Sequence, residues 1–160
     1  MTEAKGHLLR ASEIQAACRT SGHPWNEKSE LHGFWLARGM RLKRTGISLA
    51  RLAPGKESGL YHLHHYEEEW LYILSGRGVA EIDGEELEVG PGDFMAFPTP
   101  SVAHTLHNPF DENLLYLMGG ENLDHEVCDF PKLGKRMVRF ADGADVYDLA
   151  DGKPYSPPGS

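Results

Sequence analysis

The sequence has little cysteine, no long apolar run and a shortage of positive charge, and each lack removes a class of protein. Cys18 and Cys128 are its only cysteines, and neither belongs to a CxxC or similar ligand-spaced pair. A thiolate metal site and a disulfide scaffold are therefore both excluded. Two ordinary thiols in a reducing cytoplasm are the simplest reading, with a single Cys18–Cys128 bridge left open. No stretch approaches the roughly 20 apolar residues of a membrane-spanning helix. The opening segment MTEAKGHLLRASEIQAAC lacks a basic region followed by an apolar one, so no signal peptide is expected. Lys and Arg number 16 against 24 Asp and Glu, a formal net charge of −8. The basic face that a nucleic acid or an anionic membrane requires is missing, and neither is expected as a partner. No internal repeat or long linker is evident. The 160 residues suit one domain.

What is present is a rhythm of short apolar runs cut by turn residues. Ile47–Ala53 ends at Pro54–Gly55, and Glu69–Leu74 is followed by Gly76–Arg77–Gly78. Val79–Ile82 and Glu86–Val89 flank Asp83–Gly84, a strong hairpin signal. Phe94–Phe97 stops at Pro98, Val102–His107 at Asn108–Pro109, and Leu114–Met118 at Gly119–Gly120. Many short strands between such turns predict an all-β sandwich or barrel over residues 46–120. Residues 1–45 read as an N-terminal arm, with a short helix over Ala11–Cys18 for which Ser12 is the candidate N-cap. Leu36–Arg44, with Arg38, Arg41, Lys43 and Arg44, reads as solvated. Residues 121–160 read as loop-rich, with one added edge strand at Arg136–Phe140 and a disordered end at Tyr155–Ser160.

Histidine is concentrated in the middle third, at positions 62, 64, 65, 104 and 107. On a strand, residues i and i+2 leave on the same face, so His62 and His64 project together. A chain that turns through His65–Glu68 brings Glu69 back beside them, and His104 comes from a later strand. Three imidazoles and a carboxylate form a mixed N/O set suited to Fe, Mn, Ni, Co or Zn. Such a set leaves coordination positions open, as a catalytic site needs. His65 and His107 have the opposite parity and are expected at the surface or a corner. Glu67 and Glu68 read as a solvated acidic corner, Asp93 as a turn-fixing residue and Asn108 as a strand end.

The segment HLHHYEEEWLYILSG resembles the first motif of the cupins, in which H-x-H is followed by Glu and then Gly. His62, His64, Glu69 and Gly76 fit it. GDFMAFPTPSVAHTLHN is similar to the second motif, through Gly92, Pro98, His104 and Asn108. The resemblance is to small single-domain, mannose-6-phosphate-isomerase-like conserved barrels and covers about residues 42–121. It departs where Lys56 and Pro100 stand in place of expected glycines, and His104 arrives one residue late. It implies a double-stranded β-helix, a jelly-roll barrel, holding one divalent metal ion through His62, His64, Glu69 and His104. Glu68 is the competing carboxylate, but with it Gly76 falls one place too far along.

The resemblance also implies a small-molecule substrate or ligand and a homodimer. The apolar outer face alternating with Leu71 and Ile73, made of Trp70, Tyr72 and Leu74, agrees with a paired surface. Leu71, Ile73, Met95, Phe97 and Leu106 are candidates to line the barrel. Three activities are open: an isomerase-like enzyme on a sugar (phosphate) or organic acid, an Fe(II) dioxygenase, and a binding module without turnover. Tyr61, Tyr72 and Glu68 are candidate acid–base groups. A phosphate substrate would need a cationic anchor, for which Arg51 and Arg77 are the candidates.

Overall fold

Alternation of buried and exposed side chains along the strands builds the molecule, and the computed structural model describes residues 6–155. A helix α1 (Ala11–Ala17) precedes a hairpin of β1 (Arg19–His23) and β2 (Asn26–Trp35). A one-turn helix α2 (Leu36–Gly39) leads to β3 (Thr45–Leu52). Then come β4 (Leu63–His64), β5 (Glu69–Ser75), β6 (Gly78–Ile82), β7 (Glu85–Val89), β8 (Phe94–Phe97) and β9 (His104–His107). The chain closes with β10 (Leu114–Glu121), β11 (Glu126–Phe130), β12 (Lys135–Phe140) and β13 (Gly143–Asp148).

The strands form sheets in the orders β1-β2-β3-β10-β5-β8, β13-β12-β11-β4 and β7-β6-β9, and every ladder within them is antiparallel. Single bridges such as His62↔His104 join them into an all-β jelly-roll barrel. The core is the inward set of these strands, including Ala50, Leu52, Leu71, Ile73, Leu106 and Tyr116. Leu52, Ile73 and Leu114 are wholly buried, each contributing about 1.5–3 kcal/mol relative to exposure. All five expected lining residues, Leu71, Ile73, Met95, Phe97 and Leu106, lie in this core.

Turn chemistry sets the registers. Asp83 and Gly84 both take positive φ, 51° and 82°, as a two-residue hairpin of the right twist demands. At Gly76, φ is +76° and a Cβ would stand 2.1 Å from the Asn113 carbonyl oxygen. Asp93 fixes its turn by accepting the Gly90 N–H at 2.7 Å. Asn108 is buried, its amide donating to the Leu52 and Glu112 carbonyls.

Several expectations are corrected. Helix α1 starts at Ala11 with Arg10 as its N-cap, and Glu13 accepts the Arg10 N–H at 2.7 Å; Ser12 lies inside the first turn. β10 does not end at Gly119 but continues through both glycines, because the Trp70 ring and the Glu68 carbonyl lie where their Cβ atoms would be. β12 is not an edge strand, since β11 and β13 flank it. Of the expected disordered end, only Tyr155 falls among the described residues, and it is exposed.

Candidate metal centre

Each of the four clustered side chains is delivered by a different local device. His62 and His104 sit directly opposite each other and exchange both backbone hydrogen bonds, at 3.1 and 2.8 Å. Their side chains therefore leave on one face. His64, two residues on, shares that face, and its backbone is clamped to Ser101 through both N–H and carbonyl. Glu69 opens β5 opposite Phe97, whose ring stacks on His104 with centroids 3.6 Å apart and planes 6° from parallel. The turn between His64 and Glu69 is held by buried carboxylates. Glu126 accepts the N–H groups of His65, Tyr66 and Glu67, at 2.9, 3.3 and 2.8 Å.

The result is convergence on one point. The Nε2 atoms of His104, His64 and His62 stand 3.0, 3.3 and 3.7 Å from Glu69 Oε2. One donor atom from each of the four residues lies within 4.8 Å of every other. At metal–donor distances of about 2.1 Å, donors at right angles stand about 3.0 Å apart and tetrahedral ones about 3.4 Å. The observed spacings fit a shared ion.

The tautomers agree. His62 Nδ1 lies 2.8 Å from the Leu60 carbonyl and His104 Nδ1 3.0 Å from the Val102 carbonyl. A carbonyl only accepts, so both Nδ1 atoms carry hydrogen and both Nε2 atoms, in neutral rings, present lone pairs. Lone pairs facing a carboxylate oxygen repel unless a cation stands between them or the rings are protonated. Several buried imidazolium ions would be costly, and His104 is only 4% exposed. One divalent cation satisfies all the donors at once. Burial opposes ionisation of Glu69, and hydrogen bonds from His104, His62 and His64 outweigh it and hold the carboxyl well below its usual range only where those rings carry Nε2 hydrogens; a cation would stand in their place.

Glu68, the competing carboxylate, is exposed and outside the cluster. Glu67 departs from the expected solvated corner. It is 6% exposed, bound by Arg139 and by the Leu123 N–H at 2.6 Å. A second close group, His64, Glu67 and Glu126, also has metal-like spacing. Its two carboxylates are already engaged by Arg139 and by backbone N–H groups. His65 is half-buried at the corner, paired with Asp129 at 3.0 Å.

Of the expected acid–base and anchor residues, Glu68 lines the recess beside the cluster, and the others lie elsewhere. Tyr72 faces outward, and Tyr61, of opposite parity to His62, lies under Lys132. Arg51 is exposed between inward Ala50 and Leu52. Arg77 pairs with Glu88 and Glu112 at the surface. A recess of about 150 Å³ borders His64 and Glu69. It shares Ser48 and Met118 with a cavity of about 450 Å³ whose wall carries Arg19 and Arg38. Sequence reasoning missed Arg19 and read Arg38 as part of a solvated basic run. It also missed Glu126 and Tyr116, a wholly buried phenol whose hydroxyl has no partner among the described residues. None of the four belongs to a motif.

Comparison with known proteins places these observations. The cupin domain model matches residues 48–119. A solved structure described as a candidate sugar phosphate isomerase from Acidithiobacillus ferrooxidans is 35% identical, with a TM-score of 0.91 over 96% of this chain and 99% of that one. One from Silicibacter pomeroyi, described as a sugar phosphate isomerase from a cupin superfamily, is 24% identical with a TM-score of 0.79 over 94% and 97%, and attests the fold. An oxalate-binding protein of Thermotoga maritima is 28% identical over 117 residues, 73% of this chain and 95% of that protein.

Proposed function

The chain carries a cupin domain over residues 48–119, and from that premise we propose that it is a metal-dependent enzyme acting on a small polar metabolite, a sugar or an organic acid. One observation carries the reading: three imidazole Nε2 atoms surround a single carboxylate oxygen while two of the Nδ1 atoms are tied to carbonyls. His62, His64, Glu69 and His104 would hold the ion. When bound it would supply Lewis-acid polarisation of a substrate oxygen, or a redox centre. The same donors serve Fe, Mn, Ni, Co and Zn, and availability selects among them.

The chain's own residues provide the rest. Phe97 stacks on His104 and fixes its plane. The recess beside His64 and Glu69 leaves room for a small ligand, and a smaller cavity of about 20 Å³, lined by Leu71, Met95 and Leu106, lies against Glu69 and His104. A phosphate group finds no cation in Arg51 or Arg77, so Arg19 and Arg38, in the wall of the adjoining cavity, are its candidate anchors among the described residues. The two names among the relatives, a sugar phosphate isomerase and an oxalate binder, share an oxygen-rich, metal-chelating ligand class. A binding protein without turnover is the second reading, favoured by Tyr61 and Tyr72 lying away from the cluster, while Glu68 in the recess favours turnover. Both cysteines are free, which suits a reducing cytoplasm. The exposed outer residues Tyr72, Leu74 and Phe94 suit pairing with a second copy.

Anaerobic purification with elemental analysis tests the site. The wild type is expected to carry up to one divalent ion per chain, and His62→Ala/His104→Ala to lose it while keeping its β-sheet circular dichroism. Unchanged metal content in the folded variant would remove the site. A screen of sugar phosphates and small dicarboxylates then separates turnover from binding.

A further inference from the structure

We infer that Glu126 is a positioning residue for the metal centre: it accepts the Nδ1 hydrogen of His64 and so turns the Nε2 lone pair of that ring toward the ion. The inference rests on the metal reading above and adds a residue from outside both sequence motifs.

Two of the three clustered histidines have their Nδ1 atoms at backbone carbonyls, at 2.8 and 3.0 Å. His64 has none. Its Nδ1 is buried without a hydrogen-bond partner, and the nearest carboxylate oxygen is Glu126 Oε1 at 3.5 Å. Glu126 itself is 1% exposed, and no Lys or Arg pairs with it among the described residues. Neighbouring Glu67, by contrast, has Arg139. A buried carboxylate needs a cation or an equivalent set of donors. Three backbone N–H groups supply part of that set. The remaining partner is the His64 ring, made electron-poor when its other nitrogen binds a cation.

Strand geometry makes the contact systematic. Cys128 lies opposite His64 in the β11–β4 ladder, so Glu126, two residues from Cys128, leaves β11 on the same face as His64. Because Glu126 also holds the N–H groups of 65–67, one carboxylate ties His64 to the turn that delivers Glu69. A carboxylate behind a metal-bound imidazole fixes ring and tautomer and strengthens the ligand, and its loss typically costs about 10–100-fold in metal affinity.

The test is a competition titration with Co²⁺ on the folded wild type, Glu126→Gln and Glu67→Gln. Glu126→Gln should bind Co²⁺ about 10–100-fold more weakly, with an altered visible Co²⁺ spectrum. Glu67→Gln loosens the same turn through Arg139 and should shift melting temperature while keeping the wild-type affinity. An unchanged affinity in Glu126→Gln would overturn the inference, as would an equal loss in both variants. A wild type that binds no Co²⁺ would overturn the metal reading together with it. Nitrogen-15 NMR of the Zn²⁺-loaded wild type asks the question without a variant. His64 Nδ1 should carry a protected hydrogen, and a bare or metal-bound Nδ1 would contradict the assignment.

Discussion

At the scale of single residues, identity counts for less than the partner across the fold. Cys18 and Cys128 look alike in the sequence, yet Cys128 is 2% exposed and lies beside carboxylates. Burial, with Glu126, Asp129, Glu69 and Glu67 adding negative charge, pushes its thiol up to about 12. Only the thiolate reacts. A neutral-pH thiol reagent should therefore label one cysteine per native chain, Cys18, and both after denaturation. Mass mapping of the label checks this, and fast native labelling at Cys128 would contradict it. The same contrast holds for the three glutamates of the corner. Glu68 is exposed, Glu67 is buried with Arg139, and Glu69 sits among imidazoles. Strand parity made His62 and His64 legible in the sequence, and the turn after them made Glu69 so. Glu126 was not, because its contacts cross 59 to 61 positions and leave no local pattern.

At the scale of elements, turns were the most readable features and polar strands the least. Asp83–Gly84 and Gly76 announce hairpins because few residues tolerate positive φ. Their costs on substitution should differ. Gly84→Ala meets nothing within 4 Å and should lose about 1–2 kcal/mol from backbone strain. Gly76→Ala adds a collision with the Asn113 carbonyl and should lose clearly more, at least about 3 kcal/mol. Urea denaturation of both variants measures the difference, and equal losses would argue against the Asn113 contact. The hairpin β1–β2, RTSGH and NEKSELHGFW, carries too few apolar residues to alternate visibly. It is a strand pair because β3 offers it an edge, with Gly33 opposite Ala50. β11 and β13 escaped notice for the same reason: their pairing with β12 is tertiary information.

At the scale of the whole molecule, a sheet that ends at β8 with Phe94 61% exposed, beside Tyr72 and Leu74, presents an uncovered apolar face. Sedimentation equilibrium of the wild type should give a dimer, and Tyr72→Ser/Phe94→Ser should shift it to monomer with metal content retained. A monomeric wild type would contradict pairing through this face. The barrel itself brings donors from β4, β5 and β9 to one mouth, although His62 and His104 are distant in sequence. Crystals loaded with Co²⁺ and measured at the cobalt absorption edge test that convergence most directly. One anomalous peak per chain should lie about 2.0–2.3 Å from Nε2 of His62, His64 and His104 and from a Glu69 carboxylate oxygen. A peak instead among His64, Glu67 and Glu126, or cobalt only at surface carboxylates, would contradict it.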